Sequence, residues 1–547
     1  MSSTLSIPRQ VATRPALLED VAAWTLRRPL SLALGLLCSF QIVAWAPNYL
    51  TWPWWADHDV FATAARCWEA GIRPYRDFQG NNFPATIYVF WALGKLCGWG
   101  RTPPFYAFDA VLVLVFGLAL VAWSTRRLGR ALPGLVGYAL FLSYYLNLNY
   151  TQAAQRDWHG PFFLVGAILL AQARPGRVVG GLAGLLTAAG LAFRPQVVLL
   201  LPALFLAFDE SARRPGESLG RNARPLAFWA VGAVAGMFLM FLPLLCAGLF
   251  DDFLRSLRLV SYGGGYNRVS LASLLDQTLY ALRPMRVAAV PTAVLLLAPA
   301  AAPDDRRLGR TWLVALAGAL LYRPLSPVPH AYLTHPLMVV WAVLGVVLVH
   351  LALSDRRLLP SLQLLLVLLL LGTGVTLKPR FCNPNGSREA VGTLRRGEDP
   401  GPSPTGYAAD VDVPAAARYE WEDYRNLLAY LRHDLGPRTR VANALKYVPA
   451  VTGPAGRLPA LPAESVAWLI VVHSEDEDRF ANALRRTPDS VVVWVPAEQD
   501  HPRLWRMPRL TAVIEELYEP DRRFGALEVW RRKPTALAAL DAGSNTR

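Results

Sequence analysis

The chain is short of cysteine and of charge, and each shortage excludes something. Its five cysteines (Cys38, Cys67, Cys97, Cys246, Cys382) are scattered and odd in number, with no C-x-x-C and no Cys/His spacing. Neither a disulfide framework nor a zinc site is supported. Charged residues make up 17% of the 547 positions against 53% hydrophobic ones, too apolar for an ordinary soluble multidomain protein. No lysine-containing phosphate loop follows a strand, so Tyr262-Gly263-Gly264-Gly265-Tyr266 reads as a flexible outer loop and not as a nucleotide site. Aromatics do not interleave with Lys/Arg on a soluble face, which argues against nucleic acid despite the net charge of +15. No small-residue cleavage site follows the first apolar run, so the basic N-terminus reads as an uncleaved anchor. No repeat of fixed period is present.

What the chain does contain is apolar blocks separated by short polar loops, up to about Lys378. The fold class predicted from this is a polytopic α-helical membrane protein followed by a C-terminal α/β domain. Residues 1–29 are read as a cytoplasmic tail, 30–377 as the membrane domain with its first external loop at 47–103, and 378–547 as the extracytoplasmic domain. Spans are expected at about 30–46, 104–123, 131–148, 159–174, 178–193, 195–209, 226–247, 287–302, 311–323, 331–350 and 358–377. Arginine falls in alternate loops: Arg126 to Arg130, Arg174 with Arg177, Arg213 to Arg224, Arg306 to Arg310 and Arg356-Arg357. By the positive-inside rule those loops are cytoplasmic. The assignment holds only if 82–98, apolar but opened by Asn82-Phe83-Pro84 and interrupted by Lys95, does not cross. That segment is expected to lie on the outer surface or to re-enter it. With eleven spans the C-terminus is outside.

The C-terminal part shows helical spacing over Glu420 to Leu435 and strand patterns at Arg440 to Leu445, Val466 to Val472, Val491 to Val495 and Ala526 to Arg531. Ser387 to Pro414, rich in Gly, Pro and Asp, reads as a linker, and the acidic run after His473 as a solvated loop.

On this topology the polar chemistry collects on one side. Asp57-His58-Asp59 follows Trp52, Trp54 and Trp55, an interfacial belt at the end of the first span. Helical geometry sends residues i and i+2 to different faces, so only one of the two carboxylates faces a site. Read locally, Asp57 is as well explained by a helix cap as by a catalyst. The other external loops supply Gln155-Arg156-Asp157, Phe193-Arg194-Pro195, Arg323-Pro324 and His330-Ala331-Tyr332. Each has a plainer account: a surface pair for Arg156 and Asp157, snorkelling for Arg194, a structural imidazole for His330.

Asp57-His58-Asp59-Val60-Phe61-Ala62, then Gly71, Pro74-Tyr75 and Phe83-Pro84, resembles the first external loop of the GT-C superfamily of membrane glycosyltransferases. These use polyprenyl-phosphate sugars and include protein O-mannosyltransferases and the transferases that add aminoarabinose to lipid A. His58 stands where Glu is common, and Phe61 where Tyr is usual. The resemblance implies an inverting glycosyltransferase of the cell envelope, moving a hexose or pentose from a polyprenyl-phosphate sugar to an extracytoplasmic glycan, lipid or protein. It implies Asp57 as the catalytic residue, a general base, with Asp59, Arg156, Asp157, Arg194, Arg323, His330 and Tyr332 as substrate-binding residues. No cofactor is called for and no metal ligands are assigned; a divalent metal is left open. Two other readings compete. A transporter would need ionisable residues or broken helices within the spans, and almost none are seen. A non-catalytic envelope-assembly scaffold would need a single anchor span, not eleven.

Overall fold

The structure is a computed structural model of the full chain. It describes residues 14–78, 82–173, 176–212, 223–263, 303–323, 331–374, 384–397, 419–446, 450–466, 475–498 and 506–535, with a few positions between 270 and 279.

A helical bundle comes first: α1 (Arg14–Arg27), α2 (Pro29–Leu50), α3 (Ala56–Glu69), α4 (Ala85–Cys97), α5 (Pro103–Leu128), α6 (Leu132–Tyr145), α7 (Arg156–Ala173), α8 (Arg177–Phe193) and, after a 3-10 turn at Pro195–Leu200, α9 (Leu201–Ala212). It continues through α10 (Ala223–Cys246), α11 (Phe250–Gly263), α12 (Pro303–Tyr322), α13 (His335–Ser354) and α14 (Pro360–Gly374). The expected span at 287–302 lies outside the described residues. Among the described residues, four helices are long and apolar enough to cross a bilayer: α2, α5, α10 from Arg224, and α13 with the turn before it from Tyr332. The protein is a multi-pass membrane protein.

Where these helices begin and end follows local rules. Pro103 and Pro104 open α5, where a missing N–H costs nothing, and Gly129 closes it at φ +74°. Large apolar side chains such as Leu36, Phe40, Val43, Leu118, Val231 and Phe238 stand exposed, a surface made for lipid. By contrast α13 is buried along almost its whole length and forms the centre of the bundle. Between α8 and α10 the backbones nearly touch. A Cβ at Gly184 would strike the carbonyl of Trp229, and one at Gly232 that of Gly181. Small residues let membrane helices gain packing energy that apolar surface alone cannot supply in lipid.

The stretch 82–98 forms α4, whose 13 residues span only ~20 Å of a hydrocarbon core of ~30 Å. Lys95 Nζ and Trp91 Nε1 both bond the Glu69 carboxylate at the end of α3, at 2.7 and 3.1 Å. Such pairs belong to an interface rather than a bilayer interior.

The start of the stretch expected as linker, Ser387 to Arg396, instead belongs to helix α15 (Pro384–Arg396), packed on α2 and held by Asn48 Nδ2 donating to Ser387 Oγ at 2.7 Å. Then come α16 (Trp421–His433), β1 (Arg440–Asn443), α17 (Glu475–Arg486), β2 (Ser490–Trp494), α18 (Pro508–Leu517), β3 (Tyr518–Phe524) and β4 (Leu527–Arg532). The sheet order is β1-β2-β4-β3, with β1 and β2 parallel and the remaining pairs antiparallel. The expected strand at 466–472 falls almost wholly outside the described residues. Strand β3 was not legible: Tyr-Glu-Pro-Asp-Arg-Arg-Phe is charged and contains a proline. It forms because it is an edge strand, bulged between Pro520 and Arg522 and closed on β4 through Gly525 at φ +58°.

Candidate active site

Helix α3 carries the acidic couplet. Four of its residues are alanine (Ala56, Ala62, Ala64, Ala65), and Asp57 and Asp59 in its first turn suit the N-terminal dipole. It ends at Gly71, φ +81°, with Ile72 N–H donating back to Cys67 O at 2.9 Å. Its N-terminus is capped by His58, whose Nδ1 accepts from Trp55 N–H at 3.3 Å. The other nitrogen, Nε2, therefore carries the proton and donates to Ala154 O at 3.3 Å. Burial pushes the His58 imidazole down to about 4, so it stays neutral in this role.

The two carboxylates part company as helical geometry requires. Asp59 is buried and faces the C-terminal domain. Its Oδ1 accepts from Gly453 N–H at 2.5 Å and Thr63 Oγ1 at 3.0 Å, and its Oδ2 from Val451 N–H at 2.8 Å. Burial outweighs these three donors and lifts the carboxyl to about 6. Its oxygens are thus occupied by the chain's own backbone. Asp57 is on the other face, half-buried, and among the described residues makes no hydrogen bond or ion pair. Phe61, one turn on, lies under the Arg156 guanidinium at 5.4 Å.

Arg156 and Asp157 occupy the first turn of α7. Asp157 is fully buried; its Oδ1 accepts from Tyr322 Oη at 2.9 Å and lies 2.9 Å from Arg194 Nε, whose proton points at Tyr322 Oη, 3.0 Å away. Asp157 Oδ2 accepts no hydrogen bond among the described residues and has Arg156 Nε at 4.0 Å. Arg194 reaches this point because Pro195 forces the residue before it out of the helix, to φ −151° and ψ 104°. The charges of both Asp57 and Asp157 act on Arg156 and on the buried Tyr332, and Arg323, also buried, feels Asp157. The fold therefore gathers Asp57, Arg156, Asp157, Arg194, Arg323 and Tyr332 at one end of the bundle, from α3, α7, α8, α12 and the turn before α13. Asp59 sits behind them, and His330 lies outside the described residues. Three guanidiniums face two carboxylates, one of which is already paired.

Sequence reasoning missed what holds the α7 turn in place. Asp109, fully buried in α5, receives four donors: Tyr49 Oη at 2.5 Å, Tyr145 Oη at 2.6 Å, Trp158 Nε1 at 2.7 Å and His159 Nε2 at 2.6 Å. Tyr145 Oη in turn accepts Ala154 N–H at 3.0 Å. Ala154, held at φ +56°, is thereby gripped by its N–H on one side and by His58 at its carbonyl on the other. A second buried cluster, Glu210 with Arg127 at 2.9 Å and Gln172 at 2.8 Å, ties α5, α7 and α9 together. The spans are thus less free of ionisable residues than the sequence reading held. A lone carboxylate early in an apolar run was the available signal. His335 was missed too: its Nδ1 meets Tyr144 Oη at 2.6 Å and its Nε2 meets Gln152 O at 2.7 Å, steadying the turn that carries Tyr332.

Comparisons with protein families and with curated proteins give no match. Solved structures do match. ArnT from Cupriavidus metallidurans bound to undecaprenyl phosphate aligns at a TM-score of 0.55 and 12% identity, over 92% of this chain and 98% of that one. The same protein in the apo state aligns at 0.53 and 13%, over 94% and 99%. At such identity what is shared is the fold, and it is shared nearly end to end. The chain has the fold of ArnT.

Proposed function

We propose that the protein is an inverting glycosyltransferase that takes a sugar from a polyprenyl-phosphate donor, with Asp57 as the general base. The observation that carries this reading is the setting of Asp57: a carboxylate without a hydrogen-bond partner among the described residues, facing the cluster of Arg156, Asp157, Arg194 and Tyr332. The undecaprenyl phosphate bound by the ArnT that shares this fold supports the donor class.

Asp57 takes the proton of the acceptor hydroxyl as its oxygen attacks the anomeric carbon, and the bond from that carbon to the phosphate oxygen breaks. Nearby carboxylate charge favours the oxocarbenium character of the transition state. The leaving group is a phosphate monoester with a second pKa of about 6, which needs no protein acid. Arg156 and Arg323 stabilise the negative charge that develops on it, while Arg194, braced by Asp157 and Tyr322, fixes the geometry of that wall. The active site and the C-terminal domain lie on the extracytoplasmic side, as the arginine distribution favours. The test is transfer from a labelled polyprenyl-phosphate sugar by the reconstituted protein. Asp57→Asn should slow transfer by about 10²–10⁴-fold while leaving the fold intact, and full turnover in that variant rejects the base.

A further inference from the structure

Behind α3, on the face away from Asp57, a cleft of ≈ 760 Å³ opens between the bundle and the C-terminal domain. Five arginines line it: Arg66 from α3 and Arg432, Arg438, Arg440 and Arg457 from the C-terminal domain. Two of them build its floor. Arg457 donates to the carbonyls of Leu431, Arg432, Leu435 and Gly436, capping the end of α16. Arg432 donates to Pro454 O at 2.8 Å and, across the seam, to Gly100 O at 2.9 Å. The side chains of the other three make no hydrogen bond or ion pair among the described residues. Arg66 is stacked on Trp99 at 5.2 Å with its Nε buried and unpartnered, Arg440 is half-buried, and Arg438 is exposed. Arg66 and Arg440 come from opposite sides of the seam, yet the charges of both act on the Cys67 thiol, so they converge. The nearby carboxylate, Asp489, is already bonded by Thr439 Oγ1 at 2.7 Å.

Five cations held close together repel one another, and a fold keeps such a group where an anion relieves the repulsion. Guanidiniums suit tetrahedral oxyanions because their forked N–H groups reach two oxygens at once. We propose that this cleft is an oxyanion site for a phosphate-bearing ligand, separate from the Asp57 centre. Arg66 lies nine residues after Asp57 on α3, ~13 Å along the helix and on its other face. Under the transferase reading, on which this clause alone rests, the cleft gives a phosphate-bearing acceptor a second hold while its hydroxyl reaches Asp57.

The test is equilibrium binding of labelled inorganic pyrophosphate to the full-length protein in zwitterionic nanodiscs. Saturable binding is expected, weakened about tenfold in Arg438→Ala and more in Arg438→Glu/Arg440→Glu. Thermal unfolding midpoints equal to wild type check that the variants fold, and Arg438→Ala, at an exposed side chain without partners among the described residues, serves if the double variant does not. Asp57→Asn should bind as wild type does. Absence of saturable binding, binding unchanged in the arginine variants, or loss of binding in Asp57→Asn would each overturn the proposal. Adding phosphatidylglycerol to the nanodiscs separates the sources. Displacement of pyrophosphate assigns the site to a lipid headgroup, and persistence assigns it to a phosphate group presented from solution; both support an oxyanion site. Because no sugar transfer is measured, the outcome is independent of whether Asp57 is a base.

Discussion

Asp59 Oδ1 accepts the Gly453 N–H at 2.5 Å, so the helix that carries Asp57 is pinned to the C-terminal domain by the neighbouring acid. One face of α3 meets the cationic cluster and the other holds a loop 394 residues further along the chain. A Cβ at Gly453 would lie 2.6 Å from that same carboxylate oxygen. Gly453→Ala should therefore weaken the docking by about 1–3 kcal/mol, as overpacking does. Limited proteolysis of the C-terminal domain reads this out, and cleavage no faster than wild type would contradict it.

The same latch makes a pH prediction. Asp59 holds its proton up to about 6 in the folded chain and to 3.8 when unfolded, so its contribution is greatest at low pH and declines as pH rises through that window. His58 runs the other way: its value is about 4 folded against 6.5 unfolded, so stability is lost as pH falls from 6.5 towards 4. The two slopes oppose each other in wild type. In His58→Gln the thermal midpoint should fall as pH rises from 4 to 6, and in Asp59→Asn it should rise. Parallel curves for wild type and both variants would refute the assignment.

Tyr322 stands between Arg194 and Asp157, and under the proposed transfer reaction it is a positioning residue. Tyr322→Phe leaves a buried carboxylate and a guanidinium each short of one bond, at a cost of about 1–3 kcal/mol. Turnover should fall with little change in donor affinity, because Arg156 and Arg323 remain. An unchanged kcat would show that the brace is dispensable.

Asp109 makes no contact with Asp57 but takes the donors that shape the Ala154 turn. Asp109→Leu strands four buried donors and should lower the thermal midpoint sharply, costing several kcal/mol. Asp109→Asn, which keeps one acceptor oxygen, should be intermediate. A midpoint within experimental error of wild type for the leucine variant would rule the network out as a support.

Much of this was legible because the rules involved are local. The apolar blocks gave α2, α5, α8, α10 and α13, the 200° separation of i and i+2 on a helix put Asp57 and Asp59 on different faces, and Pro195 marked the break that presents Arg194. What was not legible depends on long-range partners. Asp59 offers no local sign that its donors are the N–H groups of Val451 and Gly453. Asp109 becomes tolerable in a span only once Tyr49, Tyr145, Trp158 and His159 surround it. Strand β3 carries a charged, proline-containing pattern that makes sense at an edge, and Arg66 reads as an ordinary helix C-terminal cation until Arg440 is brought opposite.

The most direct test of the central claim is the rate of sugar transfer from a labelled polyprenyl-phosphate donor by wild type and by Asp57→Asn in the same proteoliposomes. The account predicts transfer by wild type and a rate lower by about 10²–10⁴-fold in the variant, with an unchanged thermal midpoint. Equal rates in the two proteins, or no transfer by wild type across the polyprenyl-phosphate sugars, would contradict it.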